Sequence, residues 1–292
     1  MNTALRQTRD LLDMIKFEHT VFALPFAFLA AFAAAQGMPS LEKSLWILAA
    51  MVGARTAAMT FNRLVDADVD ADNPRTAQRH IPAGRVSRAG AVALLGAGVV
   101  LFGFSAGRLG PLCWKLAPLA LAVILGYSLC KRFTSLAHLV LGLSLAGAPL
   151  GAWIAIRGEL ESPAGWLAGG VLAWTGGFDI LYALQDEAFD RAVGLRSVPA
   201  ALGTQGALWV SRMLHLTALL CWGRFNLLVQ GTAFPWLGWL AVAGILMREQ
   251  WLVKDGTLER IDEAFFTMNS LVGLVFFAGH LMDLFLVRSA FA

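Results

Sequence analysis

Charge is scarce in this sequence, and its scarcity excludes most soluble folds. Only 15% of the 292 residues are Asp, Glu, Lys or Arg, whereas 58% are hydrophobic and the mean hydropathy is +0.64. A soluble domain of this composition would expose large apolar patches to water. The formal net charge of +3 is also too small to indicate a nucleic-acid partner. The composition therefore predicts a polytopic membrane protein whose apolar surface is covered by lipid.

Cysteine is equally rare, and the three cysteines, Cys113, Cys130 and Cys221, stand singly in or near apolar segments. They lack the paired spacing that is typical of a metal or redox site, so we interpret them as packing residues. A secretory signal is also missing, because the first 20 residues are polar and of mixed charge, without a short apolar core and cleavage site. We therefore expect the first membrane-spanning helix to be retained.

Long apolar segments recur along the chain, and each bilayer-spanning helix needs about 20 such residues. We predict nine spanning helices, at residues 18–37, 43–64, 88–108, 110–130, 136–157, 163–185, 204–228, 233–253 and 264–288. Between them no soluble domain is visible. The prediction is an all-α fold in which residues 1–292 form a single transmembrane bundle with cytoplasmic cap loops.

Basic residues are distributed unequally between the two ends of these predicted helices. Most of the Lys and Arg residues fall on the side that also carries the N-terminus. The positive-inside rule then places the N-terminus in the cytoplasm. We expect the membrane to be the inner (plasma) membrane. Two Asp-rich segments fall on this same side, so we expect the functional site there.

The first Asp-rich segment begins inside an apolar span. A helix advances about 100° per residue, so Asn62, Asp66 and Asp70 share one face, while the neighbouring aspartates point elsewhere. Arg75 and Arg79 follow. An acidic run is usually a solvated loop, but ionisable groups within a span are costly and usually functional. Oxygen ligands followed by guanidinium groups suit a hard divalent cation that carries a phosphate.

The second Asp-rich segment shows the same kind of pattern. Asp179, Tyr182, Asp186 and Asp190 recur at spacings of three, four and four, which predicts one helical face. Asp179 would lie about 10 Å deeper in the membrane than Asp186, and a carboxylate at that depth needs a cation or a proton. Two carboxylate clusters, each followed in the sequence by basic residues, indicate that a polyanion binds through Mg²⁺. If that polyanion is a diphosphate, the bound Mg²⁺ would make pyrophosphate a good leaving group.

These two segments resemble the signatures of the UbiA superfamily of intramembrane aromatic prenyltransferases. The first signature corresponds to Asn62-x-x-x-Asp66-x-x-x-Asp70 followed by Asn73-Pro74-Arg75-Thr76-x-x-Arg79. The second corresponds to Asp179-x-x-Tyr182-x-x-x-Asp186-x-x-x-Asp190 followed by Gly194-Leu195-x-Ser197. The similarity extends over most of the chain and is strongest to the 4-hydroxybenzoate polyprenyltransferase branch of ubiquinone and menaquinone biosynthesis.

The resemblance implies a role for each matching position. It places a polyprenyl diphosphate and Mg²⁺ between the two motifs, with one metal on Asn62, Asp66 and Asp70 and the other on Asp186 and Asp190. The remaining positions are implied to bind substrate or to act in catalysis. Diphosphate would contact Arg75, Arg79 and Lys131, the leaving group would lie near Tyr182, Asp179 would line the pocket, and Lys16 would supply a basic residue from the first helix.

One position departs from the family pattern. The commonest first motif has Asp after the Asn, whereas this chain has Arg63. By helical spacing Arg63 points off the face of Asn62, Asp66 and Asp70, so we expect metal binding to survive.

The implied reaction is transfer of the polyprenyl group to an aromatic hydroxy acid, 4-hydroxybenzoate or a related quinone precursor. The prenyl tail would extend into membrane lipid, and Asp179 would orient or deprotonate the phenol. Either Arg55 or Arg132 is available for the carboxylate of the acid. Two alternatives stay open: a transporter of a divalent cation or organic anion, and a haem- or chlorophyll-type prenyltransferase of the same superfamily.

Overall fold

The computed structural model describes residues 10–11, 13–14, 22–254, 260–261 and 263–287. These residues group into two compact units. Unit 1 contains the described residues of 1–20 together with Leu45–Leu129, and unit 2 contains the described residues of 21–44 and 130–292. The first Asp-rich segment belongs to unit 1 and the second to unit 2. Lys16, which the resemblance assigns to the site, lies outside the described residues.

No strand occurs among the described residues, and residues 22–254 and 263–287 form eleven α-helices. They are α1 (Leu24–Ala35), α2 (Leu41–Val65), α3 (Ala67–Asp72), α4 (Arg88–Leu109), α5 (Pro111–Cys130), α6 (Ala137–Arg157), α7 (Ser162–Ala183), α8 (Glu187–Ala192), α9 (Val198–Leu228), α10 (Ala233–Leu252) and α11 (Asn269–Met282). A 3₁₀ turn, Leu184–Asp186, separates α7 from α8, and π-helical segments flank α11 at Glu263–Met268 and Asp283–Val287.

The all-α prediction is confirmed, and each predicted span overlaps one of these helices. Six helical stretches of the described residues are long and apolar enough to cross a bilayer: Leu41–Val65, Arg88–Leu109, Pro111–Cys130, Ala137–Arg157, Ser162–Ala192 and Glu263–Val287. A shorter apolar helix, Leu24–Ala35, adds to them. The total of nine spans stays a prediction.

Helices α9 and α10 are not among those six stretches, yet both display apolar side chains on their outer surfaces. On α9 the exposed apolar residues recur at helical spacing, at Trp209, Met213, Leu216, Leu220 and Leu227. On α10 they are Leu237, Leu240, Met247 and Trp251. Continuous apolar stripes of this kind are unfavourable in water and suit a lipid-facing surface.

Close helix packing in unit 2 depends on glycine. Helix α7 packs between α6 and α9. A Cβ added to Gly142 of α6 would lie 2.3 Å from the carbonyl oxygen of Leu172 on α7, and one added to Gly170 of α7 would lie 2.2 Å from the indole of Trp222 on α9. A side chain at Gly142 would push the backbones of α6 and α7 apart, and one at Gly170 would displace the Trp222 indole or separate α7 from α9. Such contacts are expected where small residues mediate helix packing in membranes.

A chain of hydrogen bonds between buried side chains connects α7 to α11 and α10. Trp174 Nε1 donates to Asn269 Oδ1 at 2.7 Å, and Asn269 Nδ2 donates to Glu249 Oε1 at 3.0 Å. The same amide also donates to the carbonyl oxygens of Ala264 and Phe265 in the first π-helical segment. These bonds connect the Asn269 side chain to two backbone carbonyls of that segment. They also fix Phe265 opposite α7.

Candidate active site

The first carboxylate cluster lies where α2 ends in unit 1. The α-helix stops at Val65, and Asp66 adopts φ −91° and ψ 1° before α3 begins. Hydrogen bonds of helical spacing nevertheless continue, from Asp66 N to Asn62 O at 3.0 Å and from Asp70 N to Asp66 O at 2.7 Å. Asn62 Nδ2 donates to Asp66 Oδ2 at 2.8 Å. The structure therefore brings Asn62 and Asp66 together on the side that the spacing predicts.

The segment after α3 folds back onto Asp70. Pro74 restricts Asn73 to an extended backbone (φ −90°, ψ 117°), which ends the helix. Asn73 Oδ1 then accepts from Arg75 N at 3.0 Å. The resulting turn brings Arg79 Nη1 within 2.6 and 2.8 Å of the two oxygens of Asp70, whose side chain is 8% exposed. A predicted metal ligand thus pairs with a predicted diphosphate-binding cation, while Arg75 is exposed.

Two charged neighbours of the motif behave differently from one another. Asp68, whose side chain is 85% exposed, pairs with Arg88 and so points away, as the spacing predicts. Arg63 was expected to point away as well, and that expectation is wrong. Its side chain is buried, and Nη1 donates to Asn62 Oδ1 at 3.2 Å. The Arg63 side chain is long enough to curl back toward Asn62 although its Cα–Cβ bond points away from that face. The first cluster therefore contains a cation.

The second carboxylate cluster lies where α7 ends in unit 2. The predicted continuous helical face is interrupted, because α7 stops at Ala183 and the 3₁₀ turn precedes α8. Asp186 and Asp190 are both buried, and Asp190 Oδ2 lies 3.4 Å from Lys131 Nζ. Carboxylates this buried need a cationic or hydrogen-bonding partner. Lys131, which the resemblance assigns to the diphosphate, is such a partner for Asp190.

The loop that carries Lys131 is tied to the end of the second motif. Arg196 N donates to Lys131 O at 2.7 Å, and Arg196 Nη1 donates to Phe133 O at 2.7 Å. Glu187, which lies between Asp186 and Asp190 in the sequence, is also bonded to protein groups. Its carboxylate accepts from Arg191 Nη2 and Thr204 Oγ1, each at 3.0 Å, and so links α8 to α9. These bonds hold both sides of the second cluster in place.

Tyr182 and Asp179 lie on α7, before the 3₁₀ turn. The Tyr182 ring stacks on Phe265 with a centroid separation of 4.2 Å and an interplanar angle of 30°. Phe22 and Phe178 meet the same Phe265 ring edge-on, at 5.8 and 5.5 Å. An aromatic wall thus borders the second motif. Burial among such rings excludes water and offers π-electrons to a developing cation.

Asp179 has a partner that sequence reasoning missed. The buried His138 on α6 lies with Nδ1 2.6 Å from Asp179 Oδ2. The sequence predicts a cation or a proton as the partner of this carboxylate, and the structure places the imidazole ring of His138 there. A lone histidine in an apolar helix carries no spacing signal, so only the packing of α6 on α7 reveals the pair.

A third group of metal-ligating side chains lies in unit 1. Within the described ranges, Asp10, Asp13 and His80 have ligand atoms within 4.8 Å of one another. Partial burial and the nearby Arg85 lower the pKa of His80, which the two aspartates oppose. Among the described residues the motif aspartates form no such triplet. Surface acidic groups of this kind are common without a bound ion, so we assign the triplet no function.

These features define a class of protein: a helical membrane protein with two carboxylate clusters, each paired with a cation. The chain belongs to the UbiA prenyltransferase family, whose sequence profile matches residues 23–271. It is therefore an enzyme of the prenyltransferase class. A 4-hydroxybenzoate octaprenyltransferase of Aliivibrio fischeri is 30% identical over 251 residues, which cover 85% of this chain and 87% of the relative.

Solved structures agree with this assignment. The apo structure of a UbiA homolog from Aeropyrum pernix K1 superposes with a TM-score of 0.84 at 34% identity, over 91% of this chain and 98% of the homolog. A UbiA homolog from Archaeoglobus fulgidus, solved with DMAPP and Mg²⁺, superposes with a TM-score of 0.74 at 17% identity, over 94% and 99%. The second likeness establishes the fold alone.

Proposed function

We propose that this protein transfers a polyprenyl group from polyprenyl diphosphate to an aromatic hydroxy acid, 4-hydroxybenzoate or a related quinone precursor, with Mg²⁺ as cofactor. The observation that carries the proposal is the pairing of a buried motif carboxylate with a cation in each unit. Asp70 lies 2.6 Å from Arg79, and Asp190 lies 3.4 Å from Lys131. Carboxylates that bind metal and cations that bind phosphate are the two components that a metal-diphosphate substrate requires.

The donor set of both clusters fits Mg²⁺. Asn62, Asp66 and Asp70 offer amide and carboxylate oxygens, and Asp186 and Asp190 offer two further carboxylates, all hard oxygen ligands. When bound, Mg²⁺ would neutralise the diphosphate and make it a better leaving group. A relative in fold was solved with DMAPP and Mg²⁺, which supports this choice of cofactor.

The protein's own residues would act on the two substrates as follows. Arg79 and Lys131 exchange their carboxylate partners for diphosphate oxygens and stabilise the charge that develops there. Arg75, which is exposed, approaches the diphosphate from the loop. Tyr182 and Phe265 exclude water from the allylic carbon as its bond to oxygen breaks. The ring of the acid then attacks ortho to the phenol.

The acceptor is the less constrained half of the proposal. Relatives that are 30% identical are named 4-hydroxybenzoate octaprenyltransferases, which favours this acid over the haem- or chlorophyll-type alternative. Membership of a prenyltransferase family also removes the basis for the transporter alternative. Of the two arginines considered for the carboxylate of the acid, we propose Arg55, which is half-buried in α2, over the exposed Arg132.

The test is prenyl transfer by the purified protein. Incubation with Mg²⁺, a radiolabelled polyprenyl diphosphate and 4-hydroxybenzoate should give prenylated acid, and chelation of Mg²⁺ by EDTA should abolish it. Asp66→Ala and Asp186→Ala should each remove the activity while folded protein is retained in the membrane. The exposed Asp68 offers a matched control, since Asp68→Ala should stay active. Full activity in Asp66→Ala or Asp186→Ala would contradict a role for both clusters.

We also propose that both clusters are reached from the cytoplasm, as the distribution of basic residues indicates. Ala71 of α3 and Ala188 of α8 are exposed and lie within two residues of a motif aspartate. In a variant without the three native cysteines, Ala71→Cys and Ala188→Cys should react with an impermeant maleimide in inside-out vesicles only. Labelling of either cysteine in intact cells would contradict the orientation.

A further inference from the structure

The packing of α6 against α7 places a histidine beside the deeper acidic residue of the second motif. Gly142 of α6 lets the backbones approach, because its missing side chain leaves room for the Leu172 carbonyl. One turn before Gly142, His138 Nδ1 reaches Asp179 Oδ2 at 2.6 Å. A contact this short is typical of a charge-assisted hydrogen bond.

A second contact fixes the tautomer of this histidine. The backbone N–H of Val198, the first residue of α9, lies 3.3 Å from His138 Nε2 and is a donor. Nε2 must therefore be the acceptor nitrogen of the imidazole, and Nδ1 must carry the hydrogen. His138 consequently donates to Asp179 and accepts from α9, which determines the orientation of the ring and of the carboxylate together.

The two partners differ in their access to a substrate. The His138 side chain is 1% exposed, whereas that of Asp179 is 23% exposed. Oδ1 of Asp179 accepts no hydrogen bond from any of the residues that the structure describes. The histidine is thus enclosed by protein, and the carboxylate keeps one oxygen for another partner.

We propose that His138 is a positioning residue that holds Asp179 so that its second oxygen takes the phenol proton of the acceptor acid. The inference rests on the proposed function. Asp179 takes the proton from the phenol oxygen, and the ring becomes more nucleophilic. The ring carbon then bonds to the prenyl carbon, whose bond to the diphosphate oxygen breaks with the electron pair leaving on pyrophosphate. The ring proton leaves with pyrophosphate, and Asp179 returns its proton to the oxygen.

A merely structural role must be separated from this one, because His138 also supports the start of α9. Three substitutions test the two hydrogen bonds of His138 separately. His138→Asn keeps a donor near the Nδ1 position, His138→Gln keeps an acceptor near the Nε2 position, and His138→Phe removes both. If His138 acts through Asp179, kcat should fall about 10- to 100-fold in the Gln and Phe variants and much less in the Asn variant. The KM for polyprenyl diphosphate should stay unchanged in all three.

A double-mutant cycle with Asp179→Asn completes the experiment. Once Asp179 is replaced, adding His138→Phe should lower kcat less than about 3-fold further, because the residue through which it acts has gone. Thermal unfolding of each variant identifies any that fail to fold, and the Asn variant keeps the comparison informative in that case. Losses that multiply, or a Gln variant as active as the wild type, would overturn the inference. A wild-type protein that never prenylates 4-hydroxybenzoate would instead overturn the proposed function.

Discussion

Asp68 and Asp70 provide a matched comparison within one helix. Both lie on α3, but the Asp70 side chain is 8% exposed and bonded to Arg79, whereas Asp68 is 85% exposed beside an exposed Arg88. Asp70→Asn keeps the shape and removes the charge. Breaking a buried pair costs about 3–5 kcal/mol. Arg79 is 28% exposed, so water can reach the unpaired guanidinium, and we expect a loss of about 2 kcal/mol in the free energy of unfolding.

Asp68→Asn should change the free energy of unfolding by less than about 0.5 kcal/mol, because exposed pairs contribute little. Activity should separate the variants further, with prenyl transfer reduced about 100-fold or more by Asp70→Asn and little changed by Asp68→Asn. Thermal unfolding followed by the fluorescence of the ten tryptophans, beside the radiolabel assay, measures both effects. Equal losses in the two variants would refute the assignment of Asp70 rather than Asp68 to the site.

Three other substitutions have expected outcomes. Lys131→Met should raise the KM for polyprenyl diphosphate at least about 10-fold, with little effect on that for the acid; an unchanged KM would remove Lys131 from the diphosphate site. Gly142→Val should lower the free energy of unfolding by about 2 kcal/mol or more, because its Cβ would lie 2.3 Å from the Leu172 carbonyl oxygen. Gly147→Val on the same helix has open space and is the control. Arg63→Gln should lower the Mg²⁺ concentration for half-maximal activity, since it removes a cation bonded to Asn62; a higher requirement would contradict that reading.

Helix positions in the middle of the chain could be predicted closely from the sequence. The predicted spans 88–108, 110–130 and 136–157 differ by at most one residue at each end from α4, α5 and α6. Long apolar runs bounded by polar residues, Gly or Pro contain this information locally. The start of α9 was predicted less accurately. It begins at Val198 and bends at Gly203, where φ is +68°, so the predicted start at residue 204 marks the bend instead of the helix end.

Only those features of the site that follow from helical periodicity could be predicted from the sequence. The spacing of Asn62 and Asp66 predicts that they lie on the same side of the helix, and their hydrogen bond agrees with this. Asp68 was predicted to point away from that side, and its pairing with Arg88 agrees. Periodicity gives the direction of a Cα–Cβ bond but not the end of a long side chain. That is why the contact of Arg63 with Asn62 was mispredicted. The pairing of His138 with Asp179 depends on how two helices pack, which no local pattern contains.

The two clusters share one local design, although they belong to separate units. In each, a long helix ends within the motif, at Val65 or Ala183, and a helix of six residues follows, α3 or α8. In an uninterrupted helix, residues four apart would lie on nearly the same face, at a constant rise along the helix axis. In the second motif the break precedes both Asp186 and Asp190, and Asp190 lies beside Lys131. In the first motif helical hydrogen bonds continue through the break, and the turn after α3 brings Arg79 to Asp70. Each carboxylate is thus paired with a cation from a segment outside its own long helix, Arg79 from the loop after α3 and Lys131 from the loop after α5. The two pairings therefore depend on how these loops fold back onto the motifs.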